Sequence, residues 1–241
     1  MNLSISVVSH GQAALVLQLL NDIAAIGCHD LEVILTINVP EPLDLVAAAF
    51  PFPLRIVHNL HRKGFGANHN AAFAIARGRF FAVLNPDIRM RVDPFPALCT
   101  AAAEPGIGAA APLVLSPNAT VEDNARRFPT LASLARKSMF GSHGPDYPMA
   151  GSRVTPDWVA GMFVVFAEAA FASVSGFDER YFLYYEDVDL CWRLRRAGYG
   201  IVLLPAVQVI HDAQRDSHRR LGHLRHHLAS MARFLVRRAS V

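Results

Sequence analysis

The chain has 241 residues, of which 52% are apolar and 18% charged, and this balance excludes an intrinsically disordered protein. No apolar run reaches the roughly 18 residues of a membrane-spanning helix. Residues 1–10 lack the basic and apolar regions of a signal peptide, so we expect a cytoplasmic protein. The net charge is +3, but residues 215–241 carry seven arginines and one aspartate, which leaves the rest of the chain mildly acidic.

The first half of the chain alternates apolar β-branched runs with segments of helical periodicity. The predicted strands are Leu3–Ser9, Leu31–Ile37, Leu54–Val57 and Arg79–Leu84, and the predicted helices are Ala13–Ile26, Leu43–Phe50 and Gly66–Arg77. This alternation predicts an α/β protein with a doubly wound, mostly parallel sheet and helices on both faces.

The second half is less regular. Its predicted helices are Pro94–Ala103, Glu186–Ala197 and Leu221–Arg238, and its predicted strands are Ile107–Leu115, Trp158–Phe166 and Gly200–Leu204. The last helix carries an apolar stripe of Leu224, Leu228, Met231 and Leu235. Residues 116–156 show little periodicity, and a loop of that length in a compact chain is usually functional or mobile. Cys28, Cys99 and Cys191 lie too far apart for metal-ligand spacing, and we interpret them as buried apolar residues.

Polar residues follow three of the predicted strands. Ser9 and His10 end the first, Asn38 follows the second, and Asn85 and Asp87 follow the fourth. Ligands bind outside the carboxyl ends of the strands in an open α/β sheet. Because Pro86 stops the strand, we expect Asp87 to project from its end, where a carboxylate could hold a divalent cation together with nucleotide phosphates. The alternative is a turn aspartate that caps the next element.

An acidic cluster, Glu186, Asp187 and Asp189, follows an aromatic run near the end of the chain. Clustered carboxylates repel one another, so one of them could have a raised pKa that suits general base catalysis. The alternative is a helix N-terminus, where acidic residues favour the positive end of the helix dipole.

Four blocks of sequence together resemble the family 2 glycosyltransferases, near the bacterial rhamnosyltransferase-like branch. The blocks are Val7–His10, Lys63–Asn70, Leu84–Asp87 and Phe177–Arg193, and with their spacing they cover the chain from Leu3 to about His211. The resemblance implies a GT-A fold and an inverting transfer of a sugar from a nucleotide-diphosphate sugar to an acceptor hydroxyl, with Mg²⁺ or Mn²⁺. It also implies a donor-binding half in residues 1–105 and an acceptor-binding, catalytic half in residues 106–241 of one compact domain.

The resemblance also implies roles for individual residues. Asp187 corresponds to the catalytic base, with Glu186 beside it, while Asp87 and His211 correspond to the metal site. The nucleotide pocket is implied to involve Ser9, Asn38, Lys63, Asn70 and Asn85. One block departs from the pattern, because Ile37 stands where the family usually has an aspartate that holds the nucleotide, and Ile cannot accept a hydrogen bond.

The basic end of the chain has three interpretations. It could dock on anionic lipid headgroups and so bring the enzyme, as a peripheral protein on the inner membrane face, to a saccharide or lipid-linked saccharide acceptor. Alternatively, Arg215, Arg219 or Arg220 could close over the donor pyrophosphate, or the helix could simply be solvated. A basic nucleic-acid- or nucleotide-binding protein without turnover is the alternative function, but the arginines lack neighbouring aromatic platforms, so we expect no nucleic-acid partner.

Overall fold

The computed structural model describes residues 2–28, 30–43, 45–141, 144–212 and 220–239. Within these residues, eight strands form one sheet. The strand order is β3-β2-β1-β4-β9-β6-β10-β5, and β7 and β8 form a separate pair. The strands are β1 (Leu3–Ser9), β2 (Leu31–Ile37), β3 (Leu54–His58), β4 (Phe80–Leu84), β5 (Ile88–Arg89), β6 (Ile107–Leu115), β7 (Ala125–Arg126), β8 (Trp158–Val159), β9 (Phe163–Ala167) and β10 (Gly200–His211).

Helices cover both faces of this sheet. They are α1 (Ala13–Ala25), α2 (Phe65–Phe73), α3 (Phe95–Ala102), α4 (Leu131–Phe140), α5 (Glu168–Ser173), α6 (Glu186–Arg196) and α7 (Arg220–Ala239). Leu19 of α1 and Phe95 of α3 belong to the core on one face. Phe171 of α5 and Leu194 of α6 belong to the core on the other face. The predicted α/β class with helices on both faces is therefore confirmed.

The sheet is mostly parallel, but two of its strands run against their neighbours. β1 pairs in parallel with β2 and β4, β2 with β3, and β6 with β10. β9 is antiparallel to both β4 and β6, and β5 is antiparallel to β10. The carboxyl ends of β1, β2 and β4 consequently lie together at one edge of the sheet.

Polar residues in β1 are stabilised by specific partners. Leu3, Ile5 and Val7 lie in the core, whereas the alternate residues Ser4 and Ser6 are fully buried. Ser4 donates to Glu32 at 2.7 Å and Ser6 lies 2.8 Å from Nδ1 of His69. These hydrogen bonds offset the cost of burying the two hydroxyls.

Several sequence-based elements differ in the structure. In the predicted helix Leu43–Phe50 the described residues form a 3₁₀ turn, Ala47–Ala49, and Leu43, Leu45 and Phe50 of this segment pack against the core while Val46 is 66% exposed. The predicted strand Trp158–Phe166 is two strands, since the chain turns at Gly161 between β8 and β9. Helices α4 and α5 and the short strands β5 and β7 were not predicted. β10 runs on to His211, past an irregularity between Leu204 and Gln208.

The apolar stripe of the last helix is only partly turned toward the protein, where Met231 packs against the core. Phe234 and Ser230 of α7 are buried, while Leu224 and Leu228 are 54% and 49% exposed. The reason is that the surface beneath α7 is aromatic and polar, with Tyr181, Tyr185 and Val188 forming a core with Phe234.

Candidate functional site

A cavity of about 210 Å³ lies at the edge where β1, β2 and β4 end, and we call it the strand-end cavity. Ser9 is in register with Ile37, and Val7 is in register with Leu84, so the residues that follow these strands come together. The lining includes Val8, His10, Asn38, Arg62, Lys63, Asn68, His69, Asn85, Asp87, Phe182 and Leu183. Of the residues predicted to bind nucleotide, Asn38, Lys63 and Asn85 line this cavity.

Asn38 organises one wall of the strand-end cavity. Its Oδ1 accepts hydrogen bonds from the backbone N–H of Lys63 and from Nδ2 of Asn59, both at 2.9 Å, and its Nδ2 donates to the carbonyl of Lys63 at 3.0 Å. Asn59 also donates to Oδ1 of Asn68 at 2.6 Å. These bonds fix the Lys63 loop relative to β2. Ile37 points into the core beside this network.

Ser9 and Asn70 are outside the lining of the strand-end cavity and support it instead. Ser9 is fully buried, and its Oγ accepts a hydrogen bond from the backbone N–H of Gln12 at 3.3 Å. Asn70 binds the backbone of Phe177 in both directions, with Oδ1 accepting and Nδ2 donating at 2.9 Å. Asn70 thereby joins α2 to the segment that leads to the acidic cluster.

His69 forms part of the cavity lining and was not singled out from the sequence. It is buried, and burial lowers the pKa of its imidazole to about 3, so the ring is neutral. Nδ1 contacts Ser6, whereas Nε2 is buried without a hydrogen-bond partner. Its only sequence signal is its place in the block Lys63–Asn70.

The predicted metal residues Asp87 and His211 are adjacent. Oδ2 of Asp87 lies 3.2 Å from Nε2 of His211, and Oδ1 of Asp87 is buried with no hydrogen-bond partner. Burial alone would lower the pKa of His211, but the hydrogen bonds and charges of Asp87 and Glu122 raise it to about 9. The orphaned carboxylate oxygen suits Mn²⁺ or Mg²⁺ and a neutral imidazole nitrogen is a common metal ligand, so these residues fit the cation that the family resemblance implies.

Two protein ligands leave most of a cation's coordination positions for other groups. Among the described residues, no group of three or more His, Cys, Asp or Glu side chains is arranged to hold a metal ion. The remaining positions of a cation beside Asp87 and His211 can be filled by water or by oxygens of a bound ligand, and the strand-end cavity lies directly next to Asp87.

Glu186 and Asp187 begin α6 and line a second cavity of about 420 Å³, which we call the acidic-turn cavity. Oδ2 of Asp187 accepts a hydrogen bond from the backbone N–H of Gly161 at 3.0 Å, and its Oδ1 accepts one from Val188 at 2.8 Å. Burial raises the pKa of Asp187 despite these bonds. Burial and the charge of Asp187 raise the pKa of Glu186 well above its usual range. Glu186 and Asp187 thus lie in the first turn of a helix, and both have raised pKa values.

The backbone immediately before the two acids has an uncommon conformation. Tyr184 and Tyr185 both have φ of 68°, which places two consecutive non-glycine residues in the left-handed region. Helix α7 covers this turn. Ser230 donates to the carbonyl of Leu183 at 3.0 Å, and the ring of His227 lies 5.4 and 5.5 Å from those of Tyr185 and Tyr184.

The two cavities are joined by the segment Phe182–Asp187. Phe182 and Leu183 line the strand-end cavity, and the following residues line the acidic-turn cavity. Gly64 lets the chain approach here, because a Cβ on it would lie 2.7 Å from the carbonyl oxygen of Phe182. Phe65 N–H donates to that carbonyl at 2.9 Å. The carboxylate pair and the strand ends therefore border neighbouring spaces.

Some residues that the sequence analysis considered lie elsewhere or were missed. Arg215 and Arg219 lie outside the described residues, as does the side chain of Arg220. Glu122, which binds His211, was missed because its segment shows no periodicity. Arg126, Arg127, Arg136, Trp158 and His227 of the acidic-turn cavity were missed for the same reason or because they come from distant segments. In the part of the chain that the structure describes, no helix is long and apolar enough to cross a membrane.

The sequence matches the family model described as Glycosyl transferase family 2 over residues 4–158. It is 35% identical over 169 residues to N-acetylglucosaminyl-diphospho-decaprenol L-rhamnosyltransferase of Mycobacterium tuberculosis, covering 66% of this chain and 55% of that protein. It thus spans about half the length of that relative. It is 31% identical over 200 residues to rhamnosyltransferase WbbL of Escherichia coli K12, covering 73% of this chain and 71% of that protein.

Solved structures share the fold. One of them is mannosyltransferase PcManGT from Pyrobaculum calidifontis in complex with GDP-Man and Mn²⁺, with a TM-score of 0.65 at 18% identity. The match covers 96% of this chain and 64% of the PcManGT chain. S. aureus TarS 1-349 in complex with UDP-GlcNAc has a TM-score of 0.63 at 13% identity, with coverage of 90% and 60%. At these identities the likeness establishes the fold alone, and it confirms the expected GT-A fold.

Proposed function

Because the chain belongs to glycosyl transferase family 2, we propose that it transfers a sugar from a nucleotide-diphosphate sugar to an acceptor hydroxyl with inversion at the anomeric carbon. The observation that carries this proposal is the junction of the two cavities at Phe182–Asp187. A donor in the strand-end cavity would present its sugar toward the acidic turn, where an acceptor hydroxyl can meet a carboxylate.

Asp187 is the proposed general base. It must lie within hydrogen-bond reach of the acceptor hydroxyl, on the face of the sugar opposite the leaving nucleotide. Two backbone N–H groups hold its carboxylate in a fixed orientation, which favours one productive geometry. Glu186, beside it in the first turn of α6, lines the same cavity and keeps the acceptor side polar. A single displacement with Asp187 accepting the hydroxyl proton gives inversion.

The donor is proposed to occupy the strand-end cavity with its diphosphate near Asp87 and His211. A bound Mn²⁺ or Mg²⁺ would offset the negative charge that develops on the leaving diphosphate. Lys63 lines the cavity and can contribute a further cationic contact. Ser9 and Asn70 keep the cavity walls in place, as their hydrogen bonds support. Residues 1–105 would then form the donor half, and residues 106–241 the acceptor half.

A saccharide on a lipid diphosphate is the proposed acceptor class, and a deoxyhexose such as rhamnose the proposed sugar. The M. tuberculosis relative carries both features in its name. The acidic-turn cavity combines aromatic residues such as Trp158 and Tyr184 with the cationic residues Arg126 and Arg127. Aromatic faces suit sugar rings, and arginines suit phosphate.

Contact with an anionic membrane surface through α7 is part of this proposal. The exposed face of the helix carries Leu224 and Leu228, with Arg225 beside them. An outward apolar stripe with flanking arginines is typical of helices that lie in a membrane interface. The interpretation as a binder without turnover is not favoured, since the relatives are named as transferases.

A thermal-shift panel of nucleotide sugars with and without Mn²⁺ tests the proposed function. Ligands that bind the folded state raise Tm, so we expect one donor class to raise it, and only when Mn²⁺ is present. Asp87→Asn should abolish the metal-dependent part of the shift. Product analysis with the responding donor then reports transfer. A protein that responds to no nucleotide sugar would contradict the proposal.

A further inference from the structure

Glu122 and Asp87 face opposite nitrogens of the same imidazole. Oε2 of Glu122 lies 2.7 Å from Nδ1 of His211, while Oδ2 of Asp87 lies 3.2 Å from Nε2. The two ring nitrogens diverge, so a cation that contacts Asp87 and Nε2 lies on the far side of the ring from Glu122. This agrees with the absence, among the described residues, of a three-residue group arranged to hold a metal.

We propose that Glu122 is a positioning residue that holds His211 with Nδ1 protonated and Nε2 directed at the cation beside Asp87. The inference rests on the metal site of the proposed function and adds a residue to it. A metal-binding histidine usually donates its other ring N–H to a carboxylate or carbonyl, which fixes the ring orientation and raises the basicity of the ligating nitrogen. Glu122 has the geometry of that partner.

The segment that carries Glu122 is built to hold it. After β6 the chain reverses, so that Val121 bridges Leu115 and the backbone N–H of Glu122 donates to the carbonyl of Val114 at 2.8 Å. Asn124 is fully buried and donates from Nδ2 to the carbonyl of Pro112 at 3.0 Å. β6 is in turn paired with β10, the strand that ends at His211. Glu122 is thus held against β6, and His211 ends the strand that pairs with β6.

The position of Glu122 also connects the metal site with the acidic-turn cavity. Asp123, the next residue, lines that cavity and forms an ion pair with Arg126 at 2.6 Å. Glu122 and Asp123 thus place the metal site and the acidic-turn cavity on adjacent residues.

Mn²⁺ binding to the substrate-free protein tests the proposal without using activity. Free Mn²⁺ is counted by its electron paramagnetic resonance signal at constant pH. The variants are Glu122→Ala, the conservative Glu122→Gln, and Glu104→Gln as a matched control at an exposed ion pair with Arg153. We expect Glu122→Ala to weaken Mn²⁺ binding by about 10- to 100-fold. Glu122→Gln should restore part of the loss, because its amide oxygen can still accept a hydrogen bond from Nδ1 of His211. Glu104→Gln should bind Mn²⁺ like the parent.

Each other outcome overturns the proposal. Parental Mn²⁺ affinity in Glu122→Ala would show that Glu122 does not position His211, while leaving the metal site and the proposed function intact. Complete loss of binding in Glu122→Ala, equal to that in Asp87→Asn, would make Glu122 a ligand. An unmodified protein that binds no Mn²⁺ would remove both the metal assignment and this inference, whereas sugar transfer is decided separately by product analysis. Thermal unfolding in metal-free buffer confirms folding, and Glu122→Gln serves if Glu122→Ala does not fold.

Discussion

The strand-end cavity lies where three neighbouring strands end beside the Lys63 loop, with Phe182 and Leu183 also in its lining, whereas the acidic-turn cavity is enclosed by segments drawn from residues 123 to 227. In one wall of the first, the hydrogen bonds of Asn38 with Lys63 and of Asn59 with Asn38 and Asn68 join residues 9 to 25 positions apart. Contacts around the second cavity are longer in sequence, such as Ser230 with Leu183 and Arg238 with Pro129, 47 and 109 positions apart.

This difference gives the two cavities different mechanical support. A parallel sheet fixes the strand-end cavity as soon as its strands pair, because the register places the carboxyl ends together. The acidic turn depends instead on α7, since Tyr184 and Tyr185 occupy a strained backbone conformation that surrounding contacts must maintain. We therefore expect changes on the donor side to alter binding, and changes on the acceptor side to alter turnover.

Asp187→Asn should have the largest effect. Asparagine keeps the shape of the side chain but cannot accept the hydroxyl proton, and loss of a general base typically costs 10²- to 10⁴-fold in rate. We expect kcat to fall by about a thousandfold and the donor Kd to stay near the parental value. Rapid-quench kinetics and calorimetric donor titration measure the two quantities. Unchanged turnover would contradict the assignment of Asp187 as the base.

Phe234→Ala should have the next largest effect. It most clearly distinguishes the support of the acidic-turn cavity from that of the strand-end cavity. The Phe234 ring is fully buried and packs against Tyr185 and Trp192 at centroid distances of 5.8 and 6.4 Å. Truncating a buried phenylalanine lowers the free energy of unfolding by about 3 to 5 kcal/mol. Here the space left by the ring lies directly beneath the strained turn at Tyr184 and Tyr185. We expect a lower Tm and a lower kcat, with donor binding retained at temperatures where the variant is folded.

The matched control for Phe234→Ala is Val236→Ala on the same helix. Val236 is 67% exposed, so its truncation should change stability by no more than about 0.5 kcal/mol. If both variants lose donor affinity together with turnover, α7 supports the whole protein rather than the acidic turn, and the contrast between the cavities fails.

Asn38→Ala should produce a smaller effect of the opposite kind. It removes three hydrogen bonds that tie the Lys63 loop to β2 and Asn59. Each bond contributes about 0.5 to 1.5 kcal/mol. We therefore expect the variant to lose roughly 2 kcal/mol of donor-binding free energy, which raises Kd by about 30-fold. Isothermal titration measures Kd, and exposed Asn118→Ala is the control. A fall in kcat at saturating donor, with Kd unchanged, would contradict the expectation that changes at the strand-end cavity alter binding rather than turnover.

The same contrast explains how much the sequence could predict. The bounds of β1, β2 and β6 were predicted correctly because buried strands carry continuous apolar runs, and the strand ends then followed from parallel pairing. Glu122 could not be predicted, since its place depends on a chain reversal stabilised by buried Asn124. The inward face of α7 could not be predicted, because hydrophobic periodicity reports an apolar stripe but not whether that stripe meets protein or solvent.

The pH dependence of turnover should show the smallest effect. It tests the carboxylate pair of the acidic-turn cavity, the proposed acceptor side. Burial raises the pKa of Asp187, and burial together with the Asp187 charge raises that of Glu186. A base works only when ionised, so a raised pKa means that kcat/KM is lost at a higher pH than for an ordinary carboxylate, whose pKa is about 4. We expect the acidic limb of the profile to lie above that value.

Glu186→Gln distinguishes the two carboxylates of this pair. Burial and the charge of Asp187 raise the pKa of Glu186 well above its usual range, which favours its uncharged form. Glutamine reproduces that uncharged state. Glu186→Gln should therefore lower turnover far less than Asp187→Asn and should keep a raised acidic limb, because the burial of Asp187 is unchanged. A limb that returns to the ordinary carboxylate range in this variant would show that the charge of Glu186, rather than burial, controls the base.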